Sequence, residues 1–214
     1  MNAIVLSVVR NTIWVLITPF VLVVKMQRSL EQQTTWFQMC GDCLSVVPFQ
    51  IGVIARTQYY QRTLNTCGTN FRTKFGVTFV HPGSNIGNDV RLGRFTSVGL
   101  VDIHDDVMVA HFCSLMSGRR HHRTELTDTP MRAQDGTAQR ITIGQGTWIG
   151  ANAIVMADVG KGVVIGAGAV VVKPVPDNAV VVGNPARIVK YRDGRAVSGV
   201  EGSVESGSQR ANGP

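Results

Sequence analysis

The sequence is short of several features that mark common functional classes. Aromatic residues make up 7% of the 214 residues, and no recognised nucleic-acid-binding motif is present. There are four cysteines; Cys40 and Cys43 form a CxxC, but no second CxxC or histidine pair stands at zinc-ligand spacing. These absences argue against a nucleic-acid partner, a disulfide framework and a zinc module. Free cysteines favour a reducing compartment, so we expect a cytoplasmic protein.

No apolar run is long enough to predict a perpendicular membrane span. The longest covers residues 12–24, whereas a span needs about 20 residues. Joining it to residues 3–9 would place Arg10 inside the bilayer, where charge is costly. No basic residue precedes the first apolar stretch, as a signal peptide would require. We therefore expect a segment associated with the inner face of the membrane, or alternatively one packed on the protein or another subunit.

Acidic residues are also scarce, particularly near the N-terminus. The chain has 21 Lys and Arg against 14 Asp and Glu, a net charge of +7. Residues 1–80 hold only two of the acids, Glu31 and Asp42. Such an excess of positive charge suits an anionic membrane surface or a phosphorylated, lipid-linked substrate.

What the sequence does have is a six-residue repeat of aliphatic side chains, most of them followed by Gly or Ala. Neither a strand period of two nor a helix period of 3.6 gives this spacing. A β-solenoid does, because each aliphatic points into a narrow core and the small residue permits a tight corner. A Gly- and Val-rich sandwich would not hold register for so long. The repeat falls at Ile86, Leu92, Val98, Ile103, Val109, Leu115, Ile143, Ile149, Val155, Val159, Ile165 and Val171.

Residues 143–192 resemble the C-terminal part of the left-handed β-helix acyltransferases, the hexapeptide-repeat transferases. The segments FGVTFVHPGSNIGNDVRLG and SGRRHH resemble their sugar and polysaccharide O-acetyltransferase branch. Between Val155 and Ile165 this chain departs from the pattern, because that rung is two residues short. The resemblance implies a mainly β fold, a left-handed parallel β-helix that assembles as a homotrimer.

The expected organisation has three parts. Residues 1–66 form an apolar and helical segment, and residues 67–192 form the β-helix with a long loop inserted at 116–140. Residues 193–214 are rich in Gly and Ser and are expected to be a disordered tail. After Pro185 we expect the chain to leave the last turn as a short C-terminal helix over residues 186–192.

The loop is the expected place for the chemistry, because long excursions from a rigid scaffold often carry catalytic groups. Transfer of an acyl group to an alcohol needs a base, and histidine titrates near cellular pH. The SGRRxH pattern of the resembled branch selects His122 over its neighbour His121. Glu125, Asp128 or a backbone carbonyl could orient the ring.

The resemblance also implies a binding groove for the acyl donor, acetyl-CoA, along the C-terminal turns between subunits. Small residues would flank the pantetheine arm, and cations would approach the phosphates. No metal cofactor is expected. The residues that match the family's positions are Ala151, Ala167, Val172, Lys173, Arg187 and Lys190.

We therefore expect an acetyl-CoA-dependent O-acetyltransferase that acts on a hydroxyl of a carbohydrate or polysaccharide precursor. A different acceptor, such as an amino-acid hydroxyl or an amine, is the alternative within this class. A γ-class carbonic anhydrase would share the solenoid, but the close HxxxxH pair of that class is absent. A non-catalytic scaffold would need neither the histidine-bearing loop nor the Lys and Arg residues where the chain leaves the last turn.

Overall fold

The computed structural model describes residues 3–30, 34–119 and 126–197, with the side chains of the first helix described over residues 7–26. Three helices come first and confirm the predicted helical N-terminal segment. They are α1 Ala3–Leu30, α2 Thr35–Ser45 and α3 Phe49–Thr63.

Helix α1 continues through Arg10 and Asn11 as one element of 28 residues. Its segment Ser7–Met26 is long and apolar enough to cross a membrane by length and composition. The two apolar runs that Arg10 and Asn11 separate in the sequence are thus parts of one continuous helix. An inner stripe of α1 is buried, at Ile13, Ile17, Val21 and Val24.

Helices α2 and α3 are joined by buried polar side chains. The Arg56 guanidinium of α3 is fully buried, and its Nη1 donates to the carbonyls of Leu44 (2.8 Å) and Val47 (2.9 Å). It thereby satisfies carbonyl groups that the end of α2 leaves without helical partners. The Tyr59 hydroxyl donates to the Phe37 carbonyl at 2.8 Å, and Tyr60 packs beside it with ring centroids 5.2 Å apart.

The rest of the chain winds into a parallel β-solenoid of about six turns with three flat faces, which confirms the predicted fold class. The first face contains β1 Thr66–Cys67, β4 Asn85–Ile86, β7 Val101–Ile103 and β10 Ile141–Ile143. The second contains β2 Arg72–Thr73, β5 Arg91–Leu92, β8 Met108–Val109, β11 Trp148–Ile149, β13 Val164–Ile165, β15 Ala179–Val182 and β16 Arg187–Tyr191. The third contains β3 Thr78–Phe79, β6 Ser97–Val98, β9 Ser114–Leu115, β12 Ile154–Val155 and β14 Val170–Val171.

The strand pairing explains every irregularity in the six-residue repeat. From the first face to the second, and from the second to the third, consecutive inward residues are always six apart, as in Ile143, Ile149 and Val155. All deviations fall at the edge between the third and first faces. There the step is seven residues from Phe79 to Ile86, five from Val98 to Ile103, and four from Val155 to Val159 and from Val171 to Val175.

The short rung after Val155 is one of these steps, and its register is settled by two parallel bridges. Ile143 pairs with Val159, and Val159 pairs with Val175. The long loop leaves from the same edge, between Leu115 and Ile141. We call this edge, which also carries residues 156–158 and 172–174, the loop edge.

The chain leaves the last turn as a strand, so the expected short helix over residues 186–192 is wrong. Strand β16 runs antiparallel to β15, with Val182 opposite Arg187 and Val180 opposite Lys190. Two physical reasons favour this outcome. The last solenoid strand has an unpaired edge that β16 satisfies, and the β-branched Ile188 and Val189 suit a strand better than a helix.

Candidate functional site

The loop begins on a fixed base. Ser117 is buried, and its Oγ accepts a hydrogen bond from the Leu100 backbone N–H at 2.8 Å. Gly118 follows with φ +77°, a conformation that favours glycine. On the returning segment of the loop, the Gln139 N–H donates to the Ser117 carbonyl at 2.9 Å. The SG of the SGRR segment is therefore where the chain turns out of the solenoid.

Arg119 connects the loop to the C-terminal turns. Its Nη1 donates to the backbone carbonyl of Val172 at 3.2 Å, two turns further along the loop edge. The candidate base residues follow directly in the sequence. His121 and His122, with Glu125, lie outside the described residues.

The later part of the loop, residues 126–140, is tied down at both ends. The buried Gln134 donates from Nε2 to the carbonyls of Leu126 and Thr129, both at 2.8 Å. Arg140 binds Asp102 at 2.5 Å and the Gly83 carbonyl at 3.0 Å, which returns the chain to the first face. Asp128, a candidate orienting carboxylate, is exposed in this part of the loop.

A groove of about 460 Å³ lies between the last turn of the solenoid and β16. Its floor is aliphatic, including Val175 and Val181 from the core. Val172, Lys173 and Arg187 also line it, and Lys173 and Arg187 are exposed. An apolar floor with cations at its rim suits a ligand that has an apolar arm and anionic groups.

Ala151 and Ala167 lie elsewhere, on the edge between the second and third faces. They occupy equivalent corner positions in successive turns, and the Ala151 carbonyl accepts the Gly168 N–H at 2.8 Å. The turns are packed so closely that a Cβ on Gly150 would come within 2.6 Å of the Ala167 nitrogen. We call this edge, with Arg94, His111, Ala151 and Ala167 stacked along it, the alanine edge.

The structure thus brings some predicted donor residues together and separates others. Val172, Lys173 and Arg187 share one groove. Ala151 and Ala167 are on the alanine edge, and the third face separates them from the loop edge. Lys190 is exposed on β16, opposite Val180 of the second face.

Sequence reasoning missed two features. It gave Arg119 no role, although this residue of the SGRR motif ties the loop to Val172 by donating to its carbonyl. It also missed the part of the alanine edge that belongs to the earlier turns. There the exposed rings of Phe95 and Phe112 stack with their centroids 5.1 Å apart. There the His111 Nδ1 accepts the Arg94 N–H at 2.9 Å, so a neutral ring carries its proton on Nε2. The six-residue repeat did not indicate these contacts, because they link corners of different turns.

Among the described residues, no group of three or more His, Cys, Asp or Glu side chains is placed to hold a metal ion. The described histidines also lie on different edges of the solenoid. His81 is on the loop edge, His111 is on the alanine edge, and His104 follows β7 at the remaining edge.

Part of the six-residue repeat matches a model built from known proteins. Residues 140–173 match the model described as bacterial transferase hexapeptide (six repeats). A probable acetyltransferase of Mycobacterium tuberculosis (strain ATCC 25618 / H37Rv) is 34% identical over 118 residues, which are 52% of this chain and 39% of that protein. The probable serine acetyltransferase 2 of Oryza sativa subsp. japonica is 41% identical over 116 residues, 53% of this chain and 30% of that protein. The chain spans less than half the length of these curated relatives.

Two solved structures are similar over most of the chain. A maltose O-acetyltransferase from Clostridium difficile 630 superposes with a TM-score of 0.62 and 21% identity, covering 72% of this chain and 84% of that one. A galactoside acetyltransferase in complex with coenzyme A gives 0.58 and 24% identity, covering 72% and 80%. These likenesses establish a shared fold. The family-model match shows that residues 140–173 carry hexapeptide repeats of the bacterial transferase type, within a solenoid that these acetyltransferases share.

Proposed function

We propose that this protein transfers an acetyl group from acetyl-CoA to a hydroxyl of a carbohydrate or polysaccharide precursor. The hydrogen bond from Arg119 to the Val172 carbonyl carries the proposal. It ties the start of the loop, two residues before His121, to the groove lined by Lys173 and Arg187. The names of the curated relatives, both probable acetyltransferases, support the reaction class.

In the proposed reaction a histidine of the loop, His122, takes the proton of the acceptor hydroxyl. The hydroxyl oxygen attacks the thioester carbonyl carbon, the carbon–sulfur bond breaks, and the departing thiolate regains the proton from the imidazolium. A neutral imidazole is needed at the start, and its ordinary pKa of about 6.5 makes that form dominant at cellular pH. His121 is the alternative base. Holding both reactants in one cleft supplies much of the rate advantage.

The residues that line the groove support acetyl-CoA as the donor. Its aliphatic floor would take the pantetheine arm at Val172, and Lys173 and Arg187 would pair with phosphates. Ala151, Ala167 and Lys190 stay proposed donor contacts, although they lie outside this groove. Structures of the same fold support the choice of donor, since the galactoside acetyltransferase was solved with coenzyme A.

We further propose that the working protein is a homotrimer. The alanine edge and the loop edge are held apart by the third face of one solenoid. A donor that touches both edges would therefore need the alanine edge of one copy to face the loop edge of another.

A second acceptor class, the hydroxyl of an amino acid, is favoured by one observation. The rice relative at 41% identity is named a probable serine acetyltransferase. Serine therefore belongs in the acceptor panel beside sugar nucleotides and oligosaccharides.

The test compares acetyl-CoA turnover by the wild type and by His122→Ala and His121→Ala across that panel. His104→Ala is the matched control, because His104 is an exposed histidine at a different edge of the solenoid. Loss of a general base should lower kcat by about 10²- to 10⁴-fold in His122→Ala and leave the control unchanged. Wild-type turnover in both loop variants would refute the proposed base, and loss only in His121→Ala would move the assignment to that residue.

A further inference from the structure

Helix α1 has a second apolar stripe, opposite the one that packs on the other helices. Val8, Val15, Leu22 and Met26 are 59%, 69%, 60% and 62% exposed. Spacings of seven and four residues place them on one side of a helix. We call these four residues the outer seam. It is about 27 Å long at 1.5 Å per residue. Exposed aliphatic side chains that are scattered singly over a surface are common, but they do not form a continuous line of this length.

The charged residues of α1 are all basic. Lys25 lies between the buried stripe and the seam, whereas Arg10 lies in line with the buried stripe near the N-terminal end of α1, and both are exposed. The whole sequence of α1, Ala3–Leu30, contains no Asp or Glu. An exposed apolar stripe on a helix whose only charges are basic is a pattern that suits the plane of an anionic membrane surface.

A polar cavity of about 280 Å³ opens at the contact between α1 and α3. The Arg62 guanidinium lies over the Trp14 ring at 3.9 Å, and its Nη1 donates to the Gln58 carbonyl at 2.9 Å. In the part of the chain that the structure describes, neither Arg10 nor Arg62 forms an ion pair with a carboxylate. The cavity is lined by Arg10, Asn11, Trp14, Gln58, Gln61 and Arg62.

Gln58 supplies an independent indication of a ligand. It is only 5% exposed, and its Nε2 donates to the Arg10 carbonyl at 2.9 Å. Its Oε1 is buried with no hydrogen-bond partner among the described residues. A buried acceptor without a donor is costly. Arg10 and Arg62 line the same cavity as Gln58, and an anionic group that carries a neighbouring hydroxyl would match two arginines and an unsatisfied acceptor.

We propose that α1 docks in the plane of a membrane containing anionic phospholipid. The outer seam enters the boundary between headgroups and acyl chains. The cavity binds the phosphate of one lipid through Arg10 and Arg62, and a headgroup hydroxyl donates to the Gln58 Oε1. Docking of this kind is independent of the acetyl transfer proposed above, and it holds the solenoid beside a membrane surface.

The test is flotation of the full chain with vesicles of phosphatidylcholine alone or with phosphatidylglycerol added. Binding is expected only with phosphatidylglycerol. Arg10→Gln/Arg62→Gln should weaken it by about fivefold per charge. The control Arg72→Gln/Arg91→Gln removes the same net charge from the second face of the solenoid and should have a much smaller effect. Equal effects of the two pairs would overturn the cavity as a lipid site.

The seam has its own pair of variants. Val15→Gln/Leu22→Gln should abolish flotation, whereas Met108→Gln/Val80→Gln, at two exposed aliphatic positions of the solenoid, should not. Flotation retained in the seam variant would overturn the docking mode. If wild type does not float and the seam variant instead has a smaller molar mass, the seam is a contact between copies and the proposal is wrong.

Two further measurements distinguish membrane docking from misfolding and from binding of a free anion. If the arginine pair fails to fold, Asn11→Asp, which adds a carboxylate to the cavity, is expected to weaken flotation with an unchanged circular dichroism spectrum. Inorganic phosphate distinguishes a free anion from a lipid headgroup. A phosphate-dependent rise in the Tm that is lost in Arg62→Gln, without flotation of the wild type, would show a soluble phosphate site and refute membrane docking.

Discussion

At the scale of the residue, the fold depends on a strict division between inward and outward side chains. Ile149 is fully buried in the core, whereas Trp148 just before it is 44% exposed on the outside of the same strand. This division was predictable from the sequence, since large aliphatics recur at six and small residues follow them. The contact between Arg119 and Val172 was not, because it joins residues 53 positions apart through a side chain to a backbone carbonyl.

The inward and outward isoleucines of one turn provide a matched pair of mutations. Ile149→Ala opens a cavity in a fully buried core and should lower the free energy of unfolding by about 2–5 kcal/mol. Ile154→Ala removes a half-buried side chain from the outer surface and should cost less than about 1 kcal/mol. Chemical denaturation of both variants measures the difference. Similar losses would contradict the assignment of faces.

The cations of the groove can be tested with a truncated donor. Lys173→Gln and Arg187→Gln should each raise the KM for acetyl-CoA about tenfold, since a charge-assisted hydrogen bond contributes about 1.5–3 kcal/mol. With acetyl-pantetheine, which lacks the nucleotide phosphates, the same variants should match the wild type. Lys161→Gln, at an exposed corner away from the groove, serves as the control. A KM defect that persists with acetyl-pantetheine would argue against phosphate contact.

At the scale of the element, the departures from the repeat matter more than the repeat itself. All irregular steps share the loop edge, so residues can be added or removed there without disturbing the other two edges. The sequence predicted the positions of the departures. It could not predict that they share an edge, because strand pairing decides which residues become neighbours.

Two elements show tertiary contacts that the local sequence does not indicate. Helix α1 continues through Arg10, and β16 replaces a predicted helix beyond Pro185. In both cases a tertiary partner outweighs the local signal. Helix α3 packs on α1, with Gln58 donating to the Arg10 carbonyl, and the open edge of β15 pairs with β16.

The packing of α2 and α3 predicts loss of stability at alkaline pH. Burial raises the pKa of Tyr59 and Tyr60 above the usual 10.0, and that of Cys67 to about 12. The folded state therefore keeps protons that the unfolded chain releases. The stabilisation is complete below the ordinary pKa values, about 9 for the thiol and 10 for the phenols, and declines as pH rises above them.

Thermal unfolding between pH 8 and pH 11 measures this effect. The Tm of the wild type should fall steeply above pH 9. Tyr59→Phe loses the hydrogen bond to the Phe37 carbonyl and should be about 1 kcal/mol less stable at pH 8, with a shallower decline in alkali. Parallel declines in the two proteins would show that Tyr59 is not one of the groups responsible.

At the scale of the whole molecule, we propose that the site is shared between copies of the chain. The loop edge carries the start of the histidine loop, and the alanine edge carries Ala151 and Ala167 on the far side of the third face. We therefore predict a molar mass of three times 23.2 kDa by light scattering under assay conditions. A monomer with full transferase activity would contradict the shared groove.

The sequence predicted the solenoid and the place where the long loop leaves it, because a narrow core and a tight corner each restrict the residue type. Val172, Lys173 and Arg187 came from the family resemblance; they line one groove, and their contact with a donor stays a prediction. Ala151 and Ala167 show where this reasoning ends. The residue type reports a tight corner, but the edge on which that corner lies depends on how the turns stack.

Transfer of acetyl from a thioester to a hydroxyl leaves an acetyl ester, so identification of the product tests the proposed function. The wild-type protein is incubated with acetyl-CoA and the panel of carbohydrate acceptors and serine, and each acceptor is analysed by mass spectrometry. We predict a carbohydrate carrying one new acetyl ester that mild alkali removes, with an equivalent of free coenzyme A released. Release of coenzyme A with no acetylated hydroxyl in any acceptor, or acetylation of amines alone, would refute O-acetyl transfer by this protein.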